Sequence, residues 1–270
     1  MRRAGAVNAF PRWTLLAALN TIGLLGLAGG IVCAYEVVDP RCEYSVNPLG
    51  VDIASPRLSW KIHSTDRGVR QEAWEIEVSS HLVGLLSGEA DLWRSGRVEG
   101  DHTQCIPYAG ADLKSSQQVY WRMRSWREGG DVSDWSDPAM WTMGQLEEAD
   151  WSGGWIEAAE ESPSVLMRKA FKLEQRPRRA LLHVSGLGHY ELHVNGQRVG
   201  DDFLSPGWTD YADTTLYDTR DVSAFLEEGE NAIGLLLGNG MYHVERAGRF
   251  AKFEGSFGRK RAILELLVEF

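Results

Sequence analysis

Leu182 to His243 reads LHVSGLGHYELHVNGQRVGDDFLSPGWTDYADTTLYDTRDVSAFLEEGENAIGLLLGNGMYH, and this stretch decides the fold. Tyr190, Leu192 and Val194 alternate with Glu191 and His193, so one face of a strand is apolar and the other polar. Asn195-Gly196 then supplies the two positive-φ residues of a tight type I′ turn, and Gln197 to Val199 starts the return strand. A turn-rich loop follows, Ser205-Pro206-Gly207-Trp208-Thr209-Asp210-Tyr211. Beyond it Thr214 to Thr219 is expected as a strand, and the apolar run Ala232 to Leu237 ends in Gly238-Asn239-Gly240. Loops carrying Trp, Tyr, Asp and Asn between well-specified strands are where an all-β module keeps its binding surface.

Three pieces of this stretch, SGLGHYELHVNGQRVGDDFLSPGWTDY, LYDTRDV and GENAIGLLLGNGMY, occur in fixed order. Together they closely resemble the N-terminal β-sandwich domain of bacterial α-L-rhamnosidases. The resemblance implies a glycoside hydrolase parent whose acid and base belong to a C-terminal helical barrel. No position of this chain matches that pair, so no catalytic residue is assigned.

Outward from this centre, the chain opens on a segment that reads as a leader. Arg2, Arg3 and Arg12 form a basic region, Thr14 to Val32 carries no charge, and Val32-Cys33-Ala34 fits a signal-peptidase site. Cleavage after Ala34 and export to the periplasm or beyond are expected. The alternative is retention of the uncharged run as a membrane anchor, against which Asn20, Thr21 and several glycines weigh.

Loss of the leader removes three arginines and no acid, taking the formal net charge from −10 to −13. Such acidity disfavours nucleic acid and anionic membrane surfaces as partners and suits a neutral ligand such as a sugar. Cys42 and Cys105 are the cysteines left. An exported compartment permits their pairing, but two cysteines also occur by chance, and a domain with this much Trp and Leu needs no staple. No CxxC or His/Cys cluster stands at metal-ligand spacing, so a structural zinc is unsupported.

The 236 residues after a 34-residue leader suffice for two domains. The reading is all-β: a fibronectin type III-like sandwich over residues 35–150, then a jelly-roll-type sandwich over 151–270, jointed at Trp151-Ser152-Gly153-Gly154-Trp155. In the first, strands are expected at Arg57 to His63, Ala73 to Ser79, Asp91 to Ser95, Val119 to Trp126 and Ala139 to Met143. Glu72 to Val78 and Tyr120 to Trp126 alternate strictly, as half-buried strands of opposed sheets do. Ser55 to Trp60, Tyr120 to Arg124 and Ser133-Asp134-Trp135-Ser136 resemble the fibronectin type III class. With Asn47-Pro48-Leu49-Gly50, they also resemble the domain that precedes the sandwich in rhamnosidases. Trp60, Trp74, Trp121 and Trp126, lying inside alternating strands, are read as core or strand-lattice residues rather than a sugar platform.

In the second sandwich, strands are expected at Ser164 to Leu173, Arg178 to Ser185 and Arg261 to Phe270, with a helical turn over Asp221 to Leu226. The last strand alternates as in mid-sheet with no turn after it. That pattern suggests an edge lacking a closing partner, and the resemblance to rhamnosidases implies a large helical catalytic domain on the C-terminal side.

Glycoside hydrolysis takes two carboxylates held a fixed distance apart. Asp201 and Asp202 are adjacent, so in a strand they face opposite ways, and a solvated turn is the plainer reading. Ser185 with His183, His189, His193 and His243 invites a serine-hydrolase reading, but Ser185-Gly186-Leu187-Gly188 lacks the G-x-S-x-G elbow. Binding is better founded. An aromatic face takes the apolar side of a sugar ring, and Asp, Asn and backbone groups take its hydroxyls. Trp208, Asp210 and Tyr211 near one turn, and Asn239, Tyr242 and His243 at the end of a strand, are the candidate sugar-binding residues if the two loops meet. Rhamnose, with its methyl group, suits an aromatic wall. The plainer alternative is that Trp208 and Tyr211 pack the loop onto the sandwich or a neighbouring domain. No cofactor is required; in related sandwiches a calcium ion can accompany the sugar, and Asp201, Asp202 and Asp213 are its candidate oxygen ligands. The leading reading is the non-catalytic N-terminal portion of an exported rhamnosidase-like hydrolase acting on rhamnose-containing glycosides. Its rivals are a freestanding carbohydrate-binding or adhesion protein and a structural docking module.

Overall fold

A computed structural model describes residues 35–160, 162–244 and 257–270. The expected leader, its cleavage site and the anchor alternative lie outside the described residues. Those described form antiparallel sheets almost throughout, an all-β fold built around two hydrophobic cores.

The first eight strands are β1 (Tyr35–Cys42), β2 (Arg57–Ser64), β3 (Gln71–Ser79), β4 (Trp93–Arg94), β5 (Val98–Glu99), β6 (Ile106–Pro107), β7 (Gln118–Arg127) and β8 (Ala139–Thr142). They make one sheet ordered β1-β2-β6 and another ordered β4-β3-β7-β8, with β5 also on β3. The strand expected over Asp91 to Ser95 shortens to Trp93–Arg94. Along β7, Val119, Trp121, Met123 and Ser125 point inward, and Trp60, Trp74, Trp121 and Trp141 are buried. The same period of two puts Trp126 on the outer face, where it belongs to the lattice outside the core. There Arg97, Trp126, Arg124, Trp135 and Arg122 alternate in a cation–π stack with charge-to-ring distances of 4.5–5.2 Å.

The Ser133-Asp134-Trp135-Ser136 motif has a local explanation. Ser133 and Ser136 accept hydrogen bonds from the N–H groups of Ser125 and Met123 through their hydroxyls, at 3.1 and 3.2 Å. Their own N–H groups donate back to the carbonyls of those residues. Side chains thus complete the edge of β7 beyond Trp121, where its pairing with β8 ends, and Trp135 is held over the two arginines.

The second set is β9 (Ile156–Glu157), β10 (Ser164–Leu173), β11 (Arg179–Leu187), β12 (His189–Val194), β13 (Gln197–Arg198), β14 (Asp218–Asp221), β15 (Gly229–Gly238) and β16 (Arg261–Glu269). Its sheets run β10-β15-β12-β13 and β14-β11-β16-β9. Asn195 and Gly196 take φ of 50° and 80°, as the turn between β12 and β13 requires. The helical turn appears as a 3-10 segment over Ser223–Phe225, begun by the Asp221 carboxylate accepting the Ser223 N–H at 2.9 Å. The strand expected from Thr214 begins only at Asp218. The carbonyl of Asp210 takes the N–H of Thr214 at 2.9 Å, and that turn holds the chain out of the sheet.

Two features bear on function. β16 pairs with β11 along its whole length, whereas β9 covers it only at Arg261 and Ala262. Beyond those residues Met167, Phe171, Ile233, Leu264 and Leu266 line an apolar cleft of about 390 Å³ between the sheets. The second feature is β11, buried on both faces. Ala180, Leu182 and Val184 enter the second core, while His183 turns to the first sandwich and meets Ser116. Cys42 and Cys105 are free thiols, one buried and one exposed; burial pushes the Cys42 thiol up to about 12.

Candidate sugar-binding loops

The loop after β13 is fastened at its base before it presents any side chain. Asp202 takes both guanidinium nitrogens of Arg220, at 2.9 and 2.6 Å, and the Ser205 hydroxyl at 2.8 Å. Burial works against the Asp202 charge, but the hydrogen bonds from Ser205 and Arg220 outweigh it and hold the carboxyl below its ordinary range. The N–H of Tyr190 donates to the Ser205 carbonyl at 2.7 Å, tying the loop to β12. The Tyr190 hydroxyl donates to Asp218, and burial together with that carboxylate raises its pKa.

From this base the expected aromatic residues diverge. Trp208 is 64 % exposed, with Phe203, Leu204 and Leu216 also exposed nearby in sequence. Tyr211 turns the other way. Its ring stands edge-on to Tyr242 at 5.2 Å and to Phe257 at 5.4 Å, and Tyr242 and Phe257 stack at 5.9 Å. The two loops therefore do meet, through Tyr211 and Tyr242. They meet as a packed aromatic cluster, with Tyr242 only 9 % exposed. Such rings gain about 0.5–1.5 kcal/mol per pair beyond burial and brace the loop that carries Trp208.

The polar candidates serve the loops' own backbone and neighbours. Asp210 accepts the Ala212 N–H through its carboxylate at 3.1 Å, closing a turn. Asn239 accepts from the buried Lys260 ammonium at 2.8 Å, and Lys260 also donates to the Ser162 carbonyl. His243 donates from Nδ1 to the Gly258 carbonyl at 2.9 Å. Phe257 and Lys260, which complete this end of the sandwich, were not singled out in the sequence. Their only local signal is an aromatic residue before Gly258.

Asp201, Asp202 and Asp213 do not assemble a cation site. Among the described residues no group of three His, Cys, Asp or Glu side chains is placed to hold a metal ion. Asp202 already faces Arg220, whose positive charge opposes a cation beside it. Among the described residues these three carboxylates make no cluster for calcium. The serine-hydrolase constellation is likewise dispersed. Ser185 donates to the Leu216 carbonyl at 2.6 Å, and His183 lies between two hydroxyls at the joint. What the loops offer is an exposed indole on a rigid base, suited to the apolar face of a sugar ring.

Comparison with known proteins adds a second line. The family model for the "Rha78A-like, N-terminal immunoglobulin domain" matches residues 37–147. The "Alpha-L-rhamnosidase N-terminal domain" model matches residues 175–270. An alpha-L-rhamnosidase of Alteromonas sp. is 35% identical over 213 residues, covering 74% of this chain and 23% of its own length. One from Formosa agariphila is 31% identical over 221 residues, covering 73% and 23%. The solved alpha-L-rhamnosidase of Dictyoglumus thermophilum superposes with a TM-score of 0.78 at 32% identity, over 87% of this chain and 27% of that one. The chain spans about a quarter of the length of the relatives it matches.

Proposed function

Given that this chain carries the two N-terminal β-domains of the α-L-rhamnosidase family, we propose that it serves as the exported, non-catalytic portion of a rhamnosidase-like glycoside hydrolase. In this reading the second sandwich offers a sugar-stacking surface, and catalysis belongs to a further domain. The observation that carries the binding part is the exposed Trp208 indole, carried on a loop that the packing of Tyr211 against Tyr242 and Phe257 braces. Rhamnose-containing glycosides are the ligand class: neutral, as an acidic protein favours, and bearing a methyl group that an indole face covers.

The test is a titration of the purified chain with L-rhamnose and with an aryl rhamnoside, followed by tryptophan fluorescence and calorimetry. Saturable binding that Trp208→Ala removes, with no release of aryl alcohol, supports the reading. Hydrolysis of the aryl rhamnoside by the chain alone would sink the non-catalytic assignment, and absence of binding would sink the sugar site. Export has its own check, in N-terminal sequencing of a secreted product. A first residue of Tyr35 supports cleavage after Ala34.

A second reading draws on Phe203 and Leu204, 79 % and 70 % exposed beside the same loop. Three large apolar side chains in so short a span suit a neighbouring protein domain better than a single sugar ring. Failure to bind any rhamnoside, together with a fluorescence change on adding a parental catalytic domain, would favour docking.

A further inference from the structure

His183 lies wholly out of solvent on the face of β11 turned away from the second core. Its Nε2 is 2.9 Å from the hydroxyl of Ser116, in the first sandwich, and its Nδ1 is 2.8 Å from the hydroxyl of Thr219 on β14. Trp151 and Tyr217 stand edge-on to the imidazole at 6.1 and 5.9 Å. The ring is thus enclosed by both sandwiches and by the segment that joins them. The two hydroxyls can pair with the ring in either protonation state, so what opposes a charge here is the enclosure itself, which keeps water from an imidazolium.

The charged groups acting on the ring are Glu265 of β16 and Arg179 of β11, opposite in sign. Glu265 is already engaged by the Gln145 amide at 2.9 Å and the Ser152 hydroxyl at 2.6 Å. Arg179 is paired with Glu269 at 2.5 Å. On the first-sandwich side, Asp150 accepts from the Ser115 hydroxyl and the Glu147 N–H. Tyr217 presents a phenol whose pKa burial raises, so it is uncharged. Burial is the largest influence on His183 and holds its pKa below the ordinary 6.5, with Glu265 opposing and Arg179 assisting.

We propose that the joint between the sandwiches is a proton-gated hinge, in which an imidazolium at His183 is accommodated only when the Ser116–His183 contact parts and water reaches the ring. The sign follows from linkage. The closed joint favours the neutral ring, so closure is at full strength above the open-state pKa of about 6.5 and weakens as pH falls toward the closed-state value. Across that window each pH unit changes the closed-to-open ratio by up to about tenfold. The proposal does not depend on sugar binding.

The experiment is hydrogen–deuterium exchange of the full chain between pH 7.5 and 5.0, corrected for intrinsic rates. Peptides covering 114–117, 179–187 and 214–221 are expected to lose up to about tenfold in protection, while β12 keeps its own. In His183→Gln, whose amide keeps a donor and an acceptor but does not titrate, the joint peptides are expected to be insensitive to pH. Equal loss in both proteins, or no loss in the wild type, overturns the proposal. If the variant fails to fold, the wild-type ring decides by NMR. A titration midpoint below 6.5 that coincides with the onset of exchange supports the hinge, and exchange that begins while the ring remains neutral overturns it.

Discussion

The phenol oxygen of Tyr217 accepts the backbone N–H of Gln145 at 2.7 Å and lies against Gly144, leaving no room for a β-carbon there. Gly50 is under the same constraint from the side chain of Thr219. The two sandwiches therefore approach at backbone distance, and glycines in the first permit it.

Gly144→Ala is expected to destabilise the chain by about 1–3 kcal/mol, the usual cost of overpacking. For a protein of this size that lowers Tm by several degrees. Gly154→Ala is the control, since nothing stands within 4 Å of its β-carbon position. Calorimetric melts of both variants decide the matter, and equal Tm values would show that the joint yields freely.

Trp135→Ala removes the indole between Arg122 and Arg124, which approach it at 4.5 and 4.6 Å. Two such contacts at partly exposed sites predict a loss of about 1–2 kcal/mol. Ser136→Ala leaves the Met123 N–H without its hydroxyl partner and is expected to cost about 1–2 kcal/mol. Urea midpoints at unchanged slope measure both.

Trp208→Ala and Tyr242→Ala are expected to part company. The exposed indole contributes little to folding, so its loss leaves stability within about 0.5 kcal/mol. Tyr242 is buried against Tyr211 and Phe257, and its truncation is expected to cost about 3 kcal/mol. A sugar titration separates the two roles: under the proposed function, the Trp208 variant is expected to lose binding while keeping its melt.

Asp202 sets an acid limb. Its folded pKa lies below the ordinary 3.8, so the contribution of its ion pair is present above that value and is lost as pH falls through the folded pKa. Asp202→Asn is expected to be less stable at neutral pH and to decline less between pH 5 and pH 2. An unchanged acid limb would mean that Arg220 and Ser205 do not hold the loop.

The all-β character, the β12 turn and nearly the whole course of β3, β7 and β10 were legible in the sequence. Alternation of apolar and polar side chains and the positive φ of Asn195-Gly196 are properties of neighbours along the chain. Thr214 to Tyr217 misled that reading, because a turn closed by Asp210 overrides the β-propensity of its threonines. The sequence by itself also determined which loops bear aromatic side chains. Only the tertiary structure decided that Tyr211 packs inward while Trp208 stays out, that Asn239 serves Lys260, and that Asp202 serves Arg220. The physical reason is distance along the chain. Ser116 and His183 are 67 residues apart, and no local period encodes the partner that a buried side chain meets across a sheet or a joint.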